Sequence, residues 1–412
     1  MIVILHLDGR AIVAYADSTP EAGSSVELSK VLQVRLPSGS ILVWISVDED
    51  GIVYALYVDD DNRVKLTVVK GGEGGYTLSI PSPEDARIVE PLRVGLDDRP
   101  KVYLRARLGA AETLYIYSLE GSRPVVEASI ELGVGYLIYD VVPTPLGLAI
   151  GGSKATPQGR WIPFIAIYSY DGEREALWLL DDAEGKVVSL GYTHPSYVCG
   201  LALIDAEGEE TYRYLCVDAA VESEKSEGSL GPAEAVLGSY MVAGVSESCM
   251  VIMGPKVLLV GGIDMEVIDE YDPQVRPLAS SYGGGLAVFA GSFQGFLALE
   301  VIGVDSDTCS LGWRALIETS TPQPPVAYIA VSPSGRYLAI AYYSGAAWSL
   351  AVYKVSIESS EGGREGVQGS SAGVTKILEA LGTPMITLAL LALLAVMAAA
   401  ALLLKGKGRS LH

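Results

Sequence analysis

From Met1 to about Ile357, apolar residues come in short runs of five to nine rather than at helical spacing. "SILVWISV" (40–47), "GIVYALYV" (51–58), "RVKLTVVK" (63–70), "KVYLRARL" (101–108), "TLYIYSL" (113–119) and "WIPFIAIYSY" (161–170) are typical. They are rich in Val, Ile, Leu and Tyr, side chains that suit a pleated surface. Apolar and polar positions alternate only in part, which predicts strands covered on both faces. Between the runs lie turn clusters: "DEDG" (48–51), "DDDN" (59–62), "LEGS" (119–122), "YDGE" (170–173), "DAEGE" (205–209) and "SPSG" (332–335). The pattern gives about twenty-five strands, one every twelve to fourteen residues or so, and no helix longer than about two turns in this region. That is an all-β signature.

The strand count separates architectures. One sandwich holds about seven to nine strands, so two or three successive sandwiches, or a β-propeller of six or seven four-stranded blades, would fit. Internal echoes favour the propeller. "VAYIAVSPSGRYLAIAYYSGAAWSLAVYKV" (326–355) reads strand, tight turn, strand, short loop, strand, and segments 135–173 and 282–305 repeat that order. In all three an apolar strand ends in small residues ("IAYYSG", "AIGG", "VFAGS") before a second apolar strand. Small residues there predict inner strands crowded around a central axis.

Ser332-Pro333-Ser334-Gly335-Arg336-Tyr337-Leu338-Ala339 resembles the "S-P-D-G-x-x-L-A" turn of WD-repeat-like, YVTN and TolB-type propellers, with Ser334 where that turn usually has Asp. The resemblance spans 326–355, and no Trp-Asp or Gly-His dipeptide marks the other candidate blades. It implies a ring-shaped interaction scaffold, often non-catalytic. The blade at 326–355 shows three strands, and Ile2–Leu7 is expected to supply the fourth and close the ring.

After Ile357 the pattern changes. Residues 358–373, "ESSEGGREGVQGSSAG", are polar and rich in Gly and Ser, a flexible tether. Residues 374–383 contain "VTKILEALG", a short amphipathic helix at or leading into a membrane. From Met385 to Leu404 no residue is charged, and Thr387 is the only polar side chain. Twenty helical residues rise about 30 Å, the hydrocarbon thickness of a bilayer. The eight Leu, one Ile and one Val of that run contribute about −3 to −6 kcal/mol on an insertion scale. Residues 384–404 are therefore expected to cross the lipid bilayer once, with Pro384 in the first turn. Lys405, Lys407 and Arg409 flank the span in a basic tail, 405–412. The expected organisation is a β-propeller domain at 1–357, followed by tether, juxtamembrane segment, transmembrane helix and tail.

Charge narrows the partners. The chain carries a formal −21, and three of its cations lie in the tail, so residues 1–404 carry −24. Such a body is repelled by phosphate backbones, so no nucleic-acid partner is expected. Anionic lipid headgroups repel it too, which leaves the helix to hold it at the membrane. Two lines bear on orientation, and they conflict. The cationic tail sits inside by the positive-inside tendency, which puts the β domain outside the cytoplasm. The N-terminal "MIVILHLDGRAIVAYADS" has no basic region and too short an apolar stretch for a signal peptide, as in a tail-anchored protein with a cytosolic domain. The outside orientation is adopted here. Asn62 is the only asparagine, which resembles proteins made for high temperature.

Candidate chemistry is sparse. Three histidines, His6, His194 and His412, leave little for a zinc site or a Ser-His-Asp arrangement, and His194 lies in the turn-like "GYTHPSY". Cys199 and Cys216 are symmetric about Glu207-Gly208. A hairpin turning there puts them directly opposite as a non-hydrogen-bonded pair, the closer kind, suited to a disulfide. Cys249 and Cys309 remain for a second bridge that nothing local positions. Disulfides favour an oxidising compartment. Acidic turns such as Asp48-Glu49-Asp50, Asp59-Asp60-Asp61 and Asp305-Ser306-Asp307 are the candidate calcium sites, though none has EF-hand spacing. No other cofactor is expected.

The expected function is a single-pass membrane-anchored β-propeller acting as a non-catalytic binding or scaffold module for a protein or ligand partner. Two other classes stay open: an extracytoplasmic hydrolase using channel carboxylates or a serine, and a structural component of the cell surface. Convergent Asp/Glu, Arg or His side chains in a central pocket would mark the enzyme. A channel of small apolar residues would mark the binder.

Overall fold

The apolar runs become inner and middle strands of antiparallel sheets in the computed structural model, which describes residues 3–7, 10–14 and 25–358 apart from 72–73, 85, 97–98, 122, 194–195, 207, 221–222, 233–239, 263 and 323. These residues belong to one unit, Met1–Ser360. The tether beyond Glu358, segment 374–383, the span 384–404 and the tail with Lys405, Lys407 and Arg409 lie outside the described residues, as do His194 and His412. Among the described residues no helix is long and apolar enough to cross a membrane.

Among the described residues thirty strands form seven sheets, more than the twenty-five or so the pattern gave, because short outer strands such as Glu266–Tyr271 are too polar to register as apolar runs. Blade 1 is Ile41–Val47, Val53–Val58, Val64–Lys70 and Gly74–Ser79. Blade 2 is Ile88–Leu96, Pro100–Leu108, Ala111–Glu120 and Arg123–Val134. Blade 3 is Tyr136–Thr144, Gly147–Ala155, Trp161–Tyr168 and Arg174–Leu179. Blade 4 is Glu184–Thr193, Tyr197–Ala206, Glu209–Asp218 and Ser223–Pro232. Blade 5 is Met241–Ser246, Cys249–Met253, Val257–Gly261 and Glu266–Tyr271. Blade 6 is Arg276–Gly283, Leu286–Phe293, Phe296–Asp305 and Ser310–Pro322. Blade 7 takes Ala327–Val331, Tyr337–Tyr343 and Trp348–Glu358 from the end of the domain.

The first strand of each blade is innermost. Neighbouring inner strands pack on one another, and Ala327–Val331 of blade 7 packs on Ile41–Val47 of blade 1, so the ring closes. Seven apolar clusters carry the fold, one at every blade interface. Leu56 and Leu66 of blade 1, for instance, pack with Val102 and Leu104 of blade 2. Middle strands face neighbours on both sides, which is why Val53–Val58 is almost wholly buried while the outer Gly74–Ser79 is mostly exposed. Each large side chain so buried stabilises the ring by about 1.5–3 kcal/mol.

Closure differs from the expectation. The fourth strand of blade 7 is Ser25–Arg35, paired with Trp348–Glu358 from Ser25↔Glu358 to Arg35↔Ser349. Val26 and Leu28 enter the core between blades 6 and 7. The Trp348 indole N–H donates to the Ser40 carbonyl at 3.0 Å across 308 residues of sequence. Val3–Leu7, expected to close the ring, instead pairs with Arg10–Ala14, and this hairpin extends blade 7 outward to six strands. The longer strand offers ten register partners and brings Val26 and Leu28 into the core.

A second correction concerns the small residues of "AIGG", "VFAGS" and "IAYYSG". They lie on or just after the second strands, Gly147–Ala155, Leu286–Phe293 and Tyr337–Tyr343, not on the innermost ones. Each second strand packs against the inner strand of the next blade. A Cβ on Gly151 would sit 2.7 Å from Val187 Cγ1, so smallness serves blade-to-blade packing rather than the central axis.

Candidate functional site

The inner strands surround a central cavity of about 670 Å³. Strands within a blade run antiparallel, so the turns after inner strands and those before outer strands share one end of the ring. The lining includes Gly284 and Gly285, Pro333 and Ser306 from such turns, so the cavity opens toward that end. There the turn after the inner strand of blade 6 packs directly on the Ser332–Gly335 turn. A Cβ on Gly284 (φ +55°) would fall 2.1 Å from the Ser334 carbonyl carbon, and only glycine fits.

The walls are aliphatic and aromatic, with Leu96, Val142, Met241 and Ile329 beside Trp44, Tyr192, Tyr240, Tyr282 and Tyr328. Ser46, Ser280 and Ser281 supply hydroxyls. Among the described residues one lining side chain is charged, Arg93, and no carboxylate or histidine lines the cavity.

Arg93 is held from three sides. Its Nη1 donates to Asp140 Oδ1 at 3.2 Å and to the Val141 carbonyl at 3.3 Å. Its guanidinium lies over the Trp44 ring, 4.8 Å from the centroid, a cation–π contact. Asp140 is 4% exposed and accepts two further bonds, from Leu190 N–H at 2.7 Å and Val141 N–H at 2.8 Å. Burial pushes the Asp140 carboxyl up, against the pull of Arg93 and the two amides. Three blades thereby meet at one carboxylate: Arg93 from blade 2, Asp140 from blade 3 and Leu190 from blade 4.

The same device recurs around the channel. Ser46 Oγ of blade 1 donates to the Val94 carbonyl of blade 2 at 2.9 Å. Val242 N–H of blade 5 donates to Ser189 Oγ of blade 4 at 3.2 Å. Val331 N–H of blade 7 donates to Ser281 Oγ of blade 6 at 3.0 Å. In blades 1 to 4 a β-bulge on the inner strand immediately precedes the key residue, Trp44, Arg93, Asp140 or Ser189. A bulge re-aims the following side chain, here toward the channel and the next blade.

The paired cysteines fall where expected and beyond. Cys199 and Cys216 are register partners across the hairpin of blade 4 and form a disulfide, with Cα atoms 4.1 Å apart. Cys249 on the second strand of blade 5 bonds Cys309 in the last turn of blade 6, joining two blades covalently. All four are buried, in the cores on either side of blade 5.

The acidic turns use their carboxylates on their own backbone. Asp48 Oδ1 accepts from the N–H groups of Asp50 and Ile52, Asp59 Oδ1 from Asp61 and Arg63, and Asp305 Oδ1 from Asp307 and Thr308. These bonds hold the Asp59 and Asp305 carboxyls below the usual range. Among the described residues no three His, Cys, Asp or Glu side chains gather to hold a metal. His6 lies on Val3–Leu7, the outermost strand of blade 7.

Sequence reasoning missed Trp44, Arg93 and Asp140. A signal existed: Arg93 in "PLRVGL" and Asp140 in "IYDVVP" are single charges inside apolar stretches. Trp44, Arg93, Asp140 and Ser189 also recur at intervals of 49, 47 and 49 residues, but four different residue types hide the repeat.

No family model and no curated protein matches the chain. Among solved structures it is similar to the WD40 domain of Neurospora crassa Pan2, with a TM-score of 0.49 and 12% identity over 83% of this chain and 98% of that one. The propeller assignment stands on the chain's own sheet order and closed ring.

Proposed function

We propose that this chain is a single-pass membrane-anchored β-propeller that acts as a non-catalytic binding module and takes its partner at the open end of the central cavity. One observation carries the reading. The cavity offers aromatic and aliphatic walls, hydroxyls and one guanidinium, with no carboxylate or histidine in its lining among the described residues. Such a surface binds by burial and orientation, and it lacks the paired acid and base that hydrolysis asks for. Ser46, Ser281 and Nη1 of Arg93 also hold neighbouring blades together.

The anchor rests on the uncharged run Met385–Leu404 and the cations that follow it. Two disulfides and the cationic tail support a propeller outside the cytoplasm. The test uses the full chain in its own membranes, with a photoreactive residue at Ser306 on the cavity rim or at Asp181 between blades 3 and 4, at the other end of the ring. The reading expects alkaline carbonate to leave the protein in the membrane pellet and Ser306 alone to yield a discrete adduct. Release by carbonate overturns the anchor, and adducts from Asp181 only, or from neither site, overturn the docking face.

A further inference from the structure

The hydrogen bonds of Arg93 are unevenly distributed. Every one is made by Nη1, to Asp140 and to the Val141 carbonyl. Nε–H and the Nη2 N–H groups have no acceptor among the described residues, although the side chain is only 14% exposed. Those two nitrogens form one edge of the guanidinium, with parallel N–H bonds, the side that receives a carboxylate in bidentate fashion. Asp140 fixes one corner of the plane and Trp44 covers a face, so the open edge is oriented before any ligand arrives.

We propose that the cavity binds a ligand bearing a single carboxylate on an apolar stem, the carboxylate seated on the Nε/Nη2 edge of Arg93 and the stem against the aliphatic and aromatic walls. This rests on the binding-module reading and names the chemistry of its ligand. The charge balance selects a monoanion. Among the described residues one cation faces the cavity, Asp140 already neutralises part of it, and a chain at −21 opposes entry of multiply charged phosphates. The walls select the stem: a wholly polar anion would leave Leu96, Val142, Met241 and Ile329 in contact with water. A volume of about 670 Å³ accommodates a small organic acid or the last few residues of a peptide. Both sources present the same group, a carboxylate at the end of an apolar segment. Asp140 is a positioning residue, holding Arg93 without touching the ligand.

The test is calorimetric titration of the detergent-solubilised full chain with matched acids and amides. One arm uses hexanoate against hexanamide. The other uses acetyl-Ala-Val-Leu as free acid against its C-terminal amide. Each acid that fits is expected to bind saturably at one site, at least about tenfold more tightly than its amide, the ratio one charge-assisted bidentate contact gives. Binding in the first arm alone assigns a small acid, and binding in the second a peptide C-terminus. Arg93→Lys keeps the charge opposite Asp140 but loses the fork, and is expected to lose about tenfold while melting like the parent. Ala243→Phe, which adds a bulky ring to the blade 5 wall of the cavity, is expected to abolish binding. Equal binding of acid and amide, an unchanged affinity in Arg93→Lys, or no saturation by any probe overturns the ligand assignment. The rim cross-linking result stands or falls separately, so a wrong ligand is distinguishable from a wrong binding face.

Discussion

Asp140 is the residue whose loss the fold should feel most sharply for its size. Asp140→Ala removes the acceptor for Leu190 N–H and Val141 N–H and the counter-charge of Arg93 in one step. A buried N–H left without an acceptor costs about 1–3 kcal/mol, and breaking a buried ion pair from one side about 3–5 kcal/mol. These losses overlap, because removing the carboxylate also removes its desolvation, so the expected destabilisation is about 3–5 kcal/mol. Arg93→Met should cost less. Asp140 then keeps both amide donors, and burial already pushes its carboxyl up, so it can take a proton and stay neutral. The folded-state value of that carboxyl then lies above the unfolded one, so the Arg93→Met deficit shrinks as pH falls. Equilibrium urea denaturation of the solubilised full chain, followed by near-ultraviolet circular dichroism, measures both variants. A cost below about 1 kcal/mol for Asp140→Ala, or a larger cost for Arg93→Met, would refute the account of how three blades are joined.

Other outcomes follow from the same structure. Leu28→Ala, in the strand that closes the ring, should cost about 2–5 kcal/mol in the same denaturation assay, since Leu28 is 4% exposed in the core between blades 6 and 7. Replacing Cys249 and Cys309 by serine should destabilise by about 4 kcal/mol and replacing Cys199 and Cys216 by about 3, because the first bond closes a separation of 60 residues and the second one of 17. Equal losses would show that loop closure does not govern. Alkaline titration followed at 295 nm should leave a set of tyrosines un-ionised until the protein unfolds. Burial pushes Tyr117 up to about 12, and burial together with Glu300 pushes Tyr271 up to about 12. Both hydroxyls thus stabilise the folded state fully below pH 10 or so, and that contribution falls away as pH rises toward 12, by about 2–3 kcal/mol for the buried Tyr117. A smooth, reversible titration of every tyrosine near its ordinary value would contradict this.

The architecture was largely legible because a propeller writes itself as many short strands of similar spacing. "GIVYALYV" and "WIPFIAIYSY" announce strands covered on both faces, and they are the middle strands of blades 1 and 3. The hairpin symmetry about Glu207-Gly208 was enough to pair Cys199 with Cys216. Cys249 and Cys309 could not be paired that way, because their contact is made by the packing of blade 5 on blade 6 and leaves no local trace. The closing strand was misplaced for a related reason. Val3–Leu7 is purely apolar apart from His6, whereas Ser25–Arg35 mixes Glu27, Lys30 and Gln33 with its core residues. Ring closure rewards length and register over apolar content. The cavity was out of reach because its polar residues depend on bulges that shift the register of each inner strand. Arg93 stands out only when Asp140 and Trp44, far away in sequence, are seen beside it.

The most direct test of the binding account joins cavity to partner. In native membranes, the adduct formed by a photoreactive residue at Ser306 is quantified in the parent and in Ala243→Phe, with protease resistance showing that both rings are folded. The account predicts that filling the cavity lowers the yield at least about tenfold, the effect of losing roughly 1.4 kcal/mol of binding. An unchanged yield in a folded Ala243→Phe protein would mean that the partner does not use the cavity.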